Sequence, residues 1–221
     1  MVTVLRDIPW EYTMDEFLAE AGVLGDPELA ASASAFAAEA FSLLRPKAVY
    51  TRAQLKDLGR PRLAFDEKVF SAEILHHVLN DSETVYPFVA TSGNELEDMD
   101  LSPYDELAHF WRDLIKNAAV VQAEKYLHRY VSGGAGGRSL SAIHPGAGNG
   151  VYWPLDQIHT LFSFFPDIMA QTGVEMTEGC FMRPNKTVAG ILFASEISYT
   201  SCSFCLDKQC GERRNPPVKL S

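Results

Sequence analysis

No stretch of the sequence reaches the roughly 18 to 20 consecutive apolar residues that a membrane-spanning helix requires, so a bilayer is not an expected partner. Positive charge is scarce as well. The 19 Lys and Arg stand against 29 Asp and Glu, a formal net charge of −10. Nucleic-acid backbones are bound by clustered cations, so the expected partner is a protein or a small molecule. The opening "MVTVLRDIPWEY" carries charges where a secretion leader would be apolar, and the expected location is the cytoplasm. No internal repeat is visible. Cysteine is almost missing too: of four, only Cys180 lies before residue 201. A reducing cytoplasm disfavours structural disulfides, which leaves metal, redox and free-thiol roles for these residues.

What is present suits a globular domain: 221 residues, 47% hydrophobic and 22% charged, enough to bury a sizeable core. "DPELAASASAFAAEAFSLL" places Leu29, Ala33, Phe36, Ala37, Ala40, Phe41 and Leu44 on one helical stripe, which stops before Pro46 because a proline disfavours helix at the residue preceding it. "KAVYTRAQL", "RLAFDEKVFS" and "ETVYPFVATSG" read as extended segments, with a short helix at "AEILHHVL". The longest expected helix starts at Ser102 and Pro103. Its inward stripe is expected to hold Leu107, Phe110, Trp111, Leu114, Ile115, Ala118 and Val121, and it stops at "SGGAGGR". That glycine-rich stretch follows a helix, whereas phosphate loops follow a strand and open a helix, so it reads as a connector. Next come a strand "SLSAI", the loop "HPGAGNGVY", a helix "WPLDQIHTLFSFF", and strands in "VEMTEGCFMRP" and "TVAGILFAS". Helices and strands mixed without regular alternation favour α+β over a doubly wound sheet. The expected organisation is one domain over 1–200 and a Cys-rich tail over 201–221.

The tail "CSFCLDKQC" sets Cys202, Cys205 and Cys210 at a spacing that lets thiolates close over one centre. The pattern suits zinc or an iron–sulfur cluster. A structural zinc site wants four ligands; the tail contains no His, and Cys180 is the candidate fourth. Free thiols are the alternative. The adjacent His76 and His77 point different ways on a helix and make a poor metal pair. Among other candidates, His144 is either a contact for a bound ligand or a solvated loop residue. Tyr152 and Trp153 either stack on a planar ligand or anchor the core. Glu178 and Arg183 flank apolar strand residues and are either ligand contacts or solvated strand ends.

From about Ile143 onward the residues combine into a recognisable pattern. Pro145-Gly146, Trp153-Pro154-Leu155, Gln157, Leu161-Phe162, Gly173-Val174, Thr177-Glu178, Met182, Pro184, Val188 and Gly190 together resemble the activation, or reactivation, domain of cobalamin-dependent methionine synthase, particularly its stand-alone, cysteine-tailed relatives. Upstream, "LRPKAVY", "FVATSGNELE" and "YDELAHFWRDLIKNAAV" carry the resemblance more weakly. It implies a single α+β domain with a twisted antiparallel sheet flanked by helices. It also implies docking on a cobalamin-binding protein or on a methionine synthase core, where inactive cob(II)alamin is reduced by an outside electron-donor protein and methylated.

The resemblance further implies a docking face built from His144, Gly146, Gly148, Tyr152, Glu178 and Arg183, with the glycines allowing close backbone approach to a corrin. A one-electron donor beside cobalt gives an iron–sulfur cluster preference over zinc as the tail's metal. One departure matters. The members that bind S-adenosylmethionine carry an Arg shortly before Pro-Gly and a Tyr directly after it, and here Ala142 and Ala147 hold those places. Alanine cannot pair bidentately with a carboxylate, so tight S-adenosylmethionine binding is not expected unless Arg138 or Tyr152 substitutes. Two alternatives to an accessory activator stand: a corrinoid-protein-binding module with structural zinc, and an S-adenosylmethionine-dependent methyltransferase of similar fold.

Overall fold

The computed structural model describes residues 1–79, 82–104, 106–197, 199, 203, 205–207 and 209. Among them, eight strands form an antiparallel sheet: β1 (Thr3–Leu5), β2 (Lys47–Tyr50), β3 (Ala53–Asp57), β4 (Arg62–Phe65), β5 (Lys68–Ser71), β6 (Thr84–Thr91), β7 (Leu140–Ile143) and β10 (Thr187–Ala194). A separate hairpin joins β8 (Glu175–Met176) to β9 (Met182–Arg183). The helices are α1 (Met14–Glu20), α2 (Pro27–Leu43), α3 (Glu73–Val78), α4 (Ala108–Gly134), α5 (Ile158–Phe162) and α6 (Ile168–Thr172). This is the expected α+β class, with an antiparallel sheet flanked by helices.

Strand β6 is the hub. Along one edge it pairs with β10 from Val85 to Thr91; along the other it pairs first with β2 and then with β3, which lie end to end. "KAVYTRAQL" is therefore two strands, not one extended segment. The handover falls at Pro87, which has no N–H to offer and whose carbonyl accepts the amide of Thr51 at 3.1 Å. Both faces of β6 are buried, as alternation dictates. Val85 and Val89 join Val49, Ile191 and Phe193 on one face. Phe88 and Ala90 join Ala48, Leu192 and Leu127 on the other. "RLAFDEKVFS" folds back on itself as the β4–β5 hairpin. Its turn residue Asp66, at φ 50, accepts the Gln54 amide on its carboxylate at 2.8 Å, and short polar side chains tolerate that left-handed backbone.

The N-terminal lead also folds. The Thr13 hydroxyl accepts the Glu16 amide while the Glu16 carboxylate accepts the Thr13 amide, a capping box that starts α1. In α2, Asp26 caps the amides of Glu28 and Leu29, and Pro27 occupies the first turn. The buried face of α2, formed by Ala33, Phe36, Ala37 and Ala40, is mostly alanine, which lets α4 approach closely.

Helix α4 begins at Ala108, five residues later than the Pro103 start that the sequence suggests. Ser102 instead donates its amide and hydroxyl to the Asp100 carboxylate, closing a local turn. The first half of α4 packs Trp111, Ile115 and Ala119 against α1 and α2; the second half lays Ala123, Leu127 and Val131 on the sheet. Its inward face follows the expected stripe only in part: Trp111 and Ile115 are buried as expected, whereas Leu107, Phe110 and Val121 are 41%, 48% and 41% exposed. Two apolar stripes lie side by side on this helix, and periodicity alone does not choose between them. Small residues at 108, 119 and 123 decide it by allowing close packing. Lys116 is buried, held by Glu97 and by the Asn185 side-chain oxygen at 2.7 Å, so it ties α4 to two loops.

This partial match predicts opposite outcomes at neighbouring positions. Trp111→Ala should cost about 3–5 kcal/mol in denaturant unfolding, and Phe110→Ala within about 0.5 kcal/mol of wild type. Equal losses would show that the whole expected stripe faces the core.

Candidate functional site

Strand β7 leads into the loop 144–153 and then into α5, so the sheet's ladder fixes where this loop leaves the core. Ile143 pairs with Ile191 of β10, and the next residue, His144, folds its ring over Gly190. Any side chain at 190 would collide, because an added Cβ would stand 2.6 Å from the Ile143 carbonyl and 2.7 Å from the His144 ring. The His144 Nδ1 lies 3.0 Å from the Ala189 carbonyl, and Nε2 faces the Glu124 carboxylate at 3.5 Å. Phe88 meets the ring edge to face at 5.8 Å. His144 is thus gripped between β10 and α4, with its ring largely enclosed.

Beside it, His128 of α4 is held below the usual histidine range, first by burial and then by the neighbouring His144, while Glu124 pulls the other way. Glu124 and His128 stand one helical turn apart, a spacing visible in the sequence, yet nothing in the sequence pairs them with His144.

Farther along the loop, Gly148 adopts φ +63 and Tyr152 lies directly on it: a Cβ there would stand 2.3 Å from the Tyr152 ring. Gly148 is needed by the loop's own packing. Trp153 is fully buried against Phe70 at 6.0 Å and serves as a core anchor. Gln157 exchanges two hydrogen bonds with the Ser71 backbone, at 2.9 and 2.7 Å, clamping the start of α5 to the edge strand β5. At the outer tip, Val151 is 69% exposed.

The β8–β9 hairpin carries a second group. Glu178 is exposed in its turn, and Arg183 is exposed on β9 opposite Glu175. Cys180 adopts φ 64, and its sulfur lies 3.4 Å from Nε2 of His159 on α5, a nitrogen that also stands 3.3 Å from the Glu178 carbonyl. Phe181 next to it is 74% exposed. His159 is a residue that sequence reasoning passed over, because its contact with Cys180 spans α6 and the hairpin.

Beyond β10, the chain turns back onto the outer edge of β7. The Ser195 amide donates to the Ser139 carbonyl at 3.2 Å, and the Ser141 hydroxyl donates to the Ile197 carbonyl at 2.8 Å while accepting the Tyr199 amide at 3.0 Å. Cys205 is half-buried; Cys202 and Cys210 lie outside the described residues. Among the described residues, no group of three or more His, Cys, Asp or Glu stands ready to hold a metal ion, and no helix is long and apolar enough to cross a membrane.

No protein-family model matches the chain, and no curated protein matches it. Thirteen chains of solved structures do match in fold. One is a crystal structure of the MetH reactivation domain bound to AdoHcy, with a TM-score of 0.61 over 90% of this chain and 80% of that one, at 14% identity. The likeness is one of fold.

The half-buried His128 gives a pH signature. Its folded value lies below its unfolded value near 6.5, so in that interval the unfolded chain holds a proton that the folded chain sheds. Stability should therefore fall as pH drops below about 6.5 and be unaffected by this group above it. In His128→Gln the slope of melting temperature against pH over that interval should be shallower than in wild type; identical slopes would contradict the assignment.

Proposed function

We propose that the chain is an accessory module that docks on a cobalamin-binding protein, or on the cobalamin-carrying core of a methionine synthase, and supports reductive reactivation of cob(II)alamin. The observation that carries this reading is the fold likeness to the MetH reactivation domain over 90% of the chain. In this reading loop 144–153 and the β8–β9 turn form the docking face, with His144, Gly146, Gly148, Tyr152, Glu178 and Arg183 on or beneath it. Two observations support it: Val151 and Phe181 present apolar side chains at the loop and turn tips, and loops on a rigid sheet are where binding residues concentrate.

Reduction of cobalt to the +1 state is uphill, and it is drawn forward when methylation removes the product, each tenfold depletion shifting a one-electron couple by about 59 mV. The AdoHcy on the structural relative hints at a related methyl donor. In this chain, however, Ala142 is paired with Leu192 inside β7 and Ala147 packs toward the core. Arg138 lies four residues before Ala142 and outside β7, which begins at Leu140. We therefore assign the methyl transfer to the partner, and calorimetric titration should show no micromolar binding of S-adenosylmethionine.

Cys202, Cys205 and Cys210, with Cys180 as the fourth ligand, are the proposed holders of an iron–sulfur cluster, which would supply an electron from a donor protein. Zinc is the second reading, favoured by the His159 nitrogen beside Cys180, since sulfur and imidazole together suit zinc. Either metal would order the tail, because binding energy at such a site is also folding energy for the segment. Anaerobically purified protein should absorb broadly in the visible and contain iron. Cys205→Ser should lose the metal and the ability to reactivate a cob(II)alamin-loaded partner, with the core still folded. Full reactivation by that variant would end the redox role, and colourless protein with stoichiometric zinc would move the assignment to the second reading.

A further inference from the structure

The end of the sheet opposite loop 144–153 carries a site that the proposed function does not use. There β6 begins, β10 ends, β7 begins and α4 ends, leaving two adjoining depressions of 540 and 680 Å³. Both volumes fall within the range of small-molecule sites, roughly 300 to 1,000 Å³. They share Ser82, Arg138 and Ala194, so Arg138 stands on the divide and can reach into either.

Its position is built, not incidental. Past the end of α4 the Gly137 amide donates to the Ser132 carbonyl at 2.9 Å, and the Ser132 hydroxyl donates to the Arg138 carbonyl at 2.7 Å, which fixes the backbone from which the side chain projects. These bonds also occupy a terminal carbonyl of α4, blunting the negative pole that would oppose an anion there. Among the described residues, no carboxylate lies within 4.0 Å of the Arg138 guanidinium. Arg52, on the wall of the first depression, has among the described residues the Thr84 hydroxyl at 3.4 Å and no carboxylate. Glu83 lines the first depression and Glu196 the second, yet neither carboxylate forms an ion pair with Arg52 or Arg138, so among the described residues two unpaired guanidinium groups face one concavity.

We propose that Arg138 and Arg52 form the anion-recognising pole of a small-molecule site, taking a carboxylate or a phosphate group. The planar guanidinium fork of Arg138 matches either group bidentately. Ser82 supplies a hydroxyl beside it, and Tyr86 and Leu140 offer an apolar wall for the remainder of the ligand. The site lies at the opposite end of β7 from the docking face and stands or falls independently of the corrinoid reading.

The test is titration of the whole chain at low ionic strength with inorganic phosphate and, separately, with acetate, followed by amide chemical shifts. One saturable site with shifts confined to 82–86, 134–140 and 194–197 is expected, and the tighter probe identifies the head group. Arg138→Gln should weaken the tighter probe about tenfold, the loss of one charge-assisted bond. Arg60→Gln, an exposed arginine elsewhere on the surface, should leave it unchanged. Absence of saturable binding by both probes, or equal weakening in the two variants, would overturn the assignment.

Discussion

Strand β6 has neither a free edge nor a free face, and the rest of the molecule is arranged around that constraint. Its two edges are taken by β10 on one side and by β2 and β3 in succession on the other. Its two faces are covered by separate apolar clusters. A backbone so enclosed must have nearly all of its polar groups paired internally, so the register of every neighbour is set by β6. Through β10, that register decides where β7 ends. It then decides where His144 lies over Gly190 and where loop 144–153 leaves the sheet. The same register, read at the other end of β7, places Arg138 between the two depressions. Both ends of one short strand thus present chemistry, and both owe their placement to the same hydrogen-bond ladder.

The parts of this architecture that were legible in the sequence are those where one local signal sufficed. Helix α2 has a cap, a first-turn proline and a terminating proline around one stripe, and "TVAGILFAS" reads as a buried strand by its run of apolar residues. Other elements depended on tertiary choice. Only part of the expected stripe of α4 faces the core, Trp111 and Ile115 but not Leu107, Phe110 or Val121, because the small residues Ala108, Ala119 and Ala123 bring a neighbouring face close to the rest of the fold. The β4–β5 hairpin turned on Asp66, whose left-handed backbone is supported by a bond to Gln54 on another strand. The capping box at Thr13 and Glu16 was present in the sequence and would have identified α1.

Site residues divide the same way. The spacing of the tail cysteines is visible in the sequence, whereas the pairing of Cys180 with His159 requires a hairpin and a helix to meet. The enclosure of His144 by Glu124 and His128 likewise depends on α4 crossing the sheet. Gly148 was legible as a special residue but for a different reason from the one the pattern suggests: its missing side chain is filled by Tyr152 from the same loop. A loop that packs on itself is preorganised, and preorganisation lowers the ordering cost of docking, which is compatible with a face that presents Val151 to a partner.

Loop 144–153 and the β8–β9 turn are the proposed face that meets a cobalamin-binding protein. Hydrogen exchange measured with and without a saturating cobalamin-loaded methionine synthase core tests it most directly. Slowed exchange is expected in residues 146–152 and 177–181, with little change at 134–140. No slowing in either segment at saturation, or slowing confined to the Arg138 end of the sheet, would contradict it.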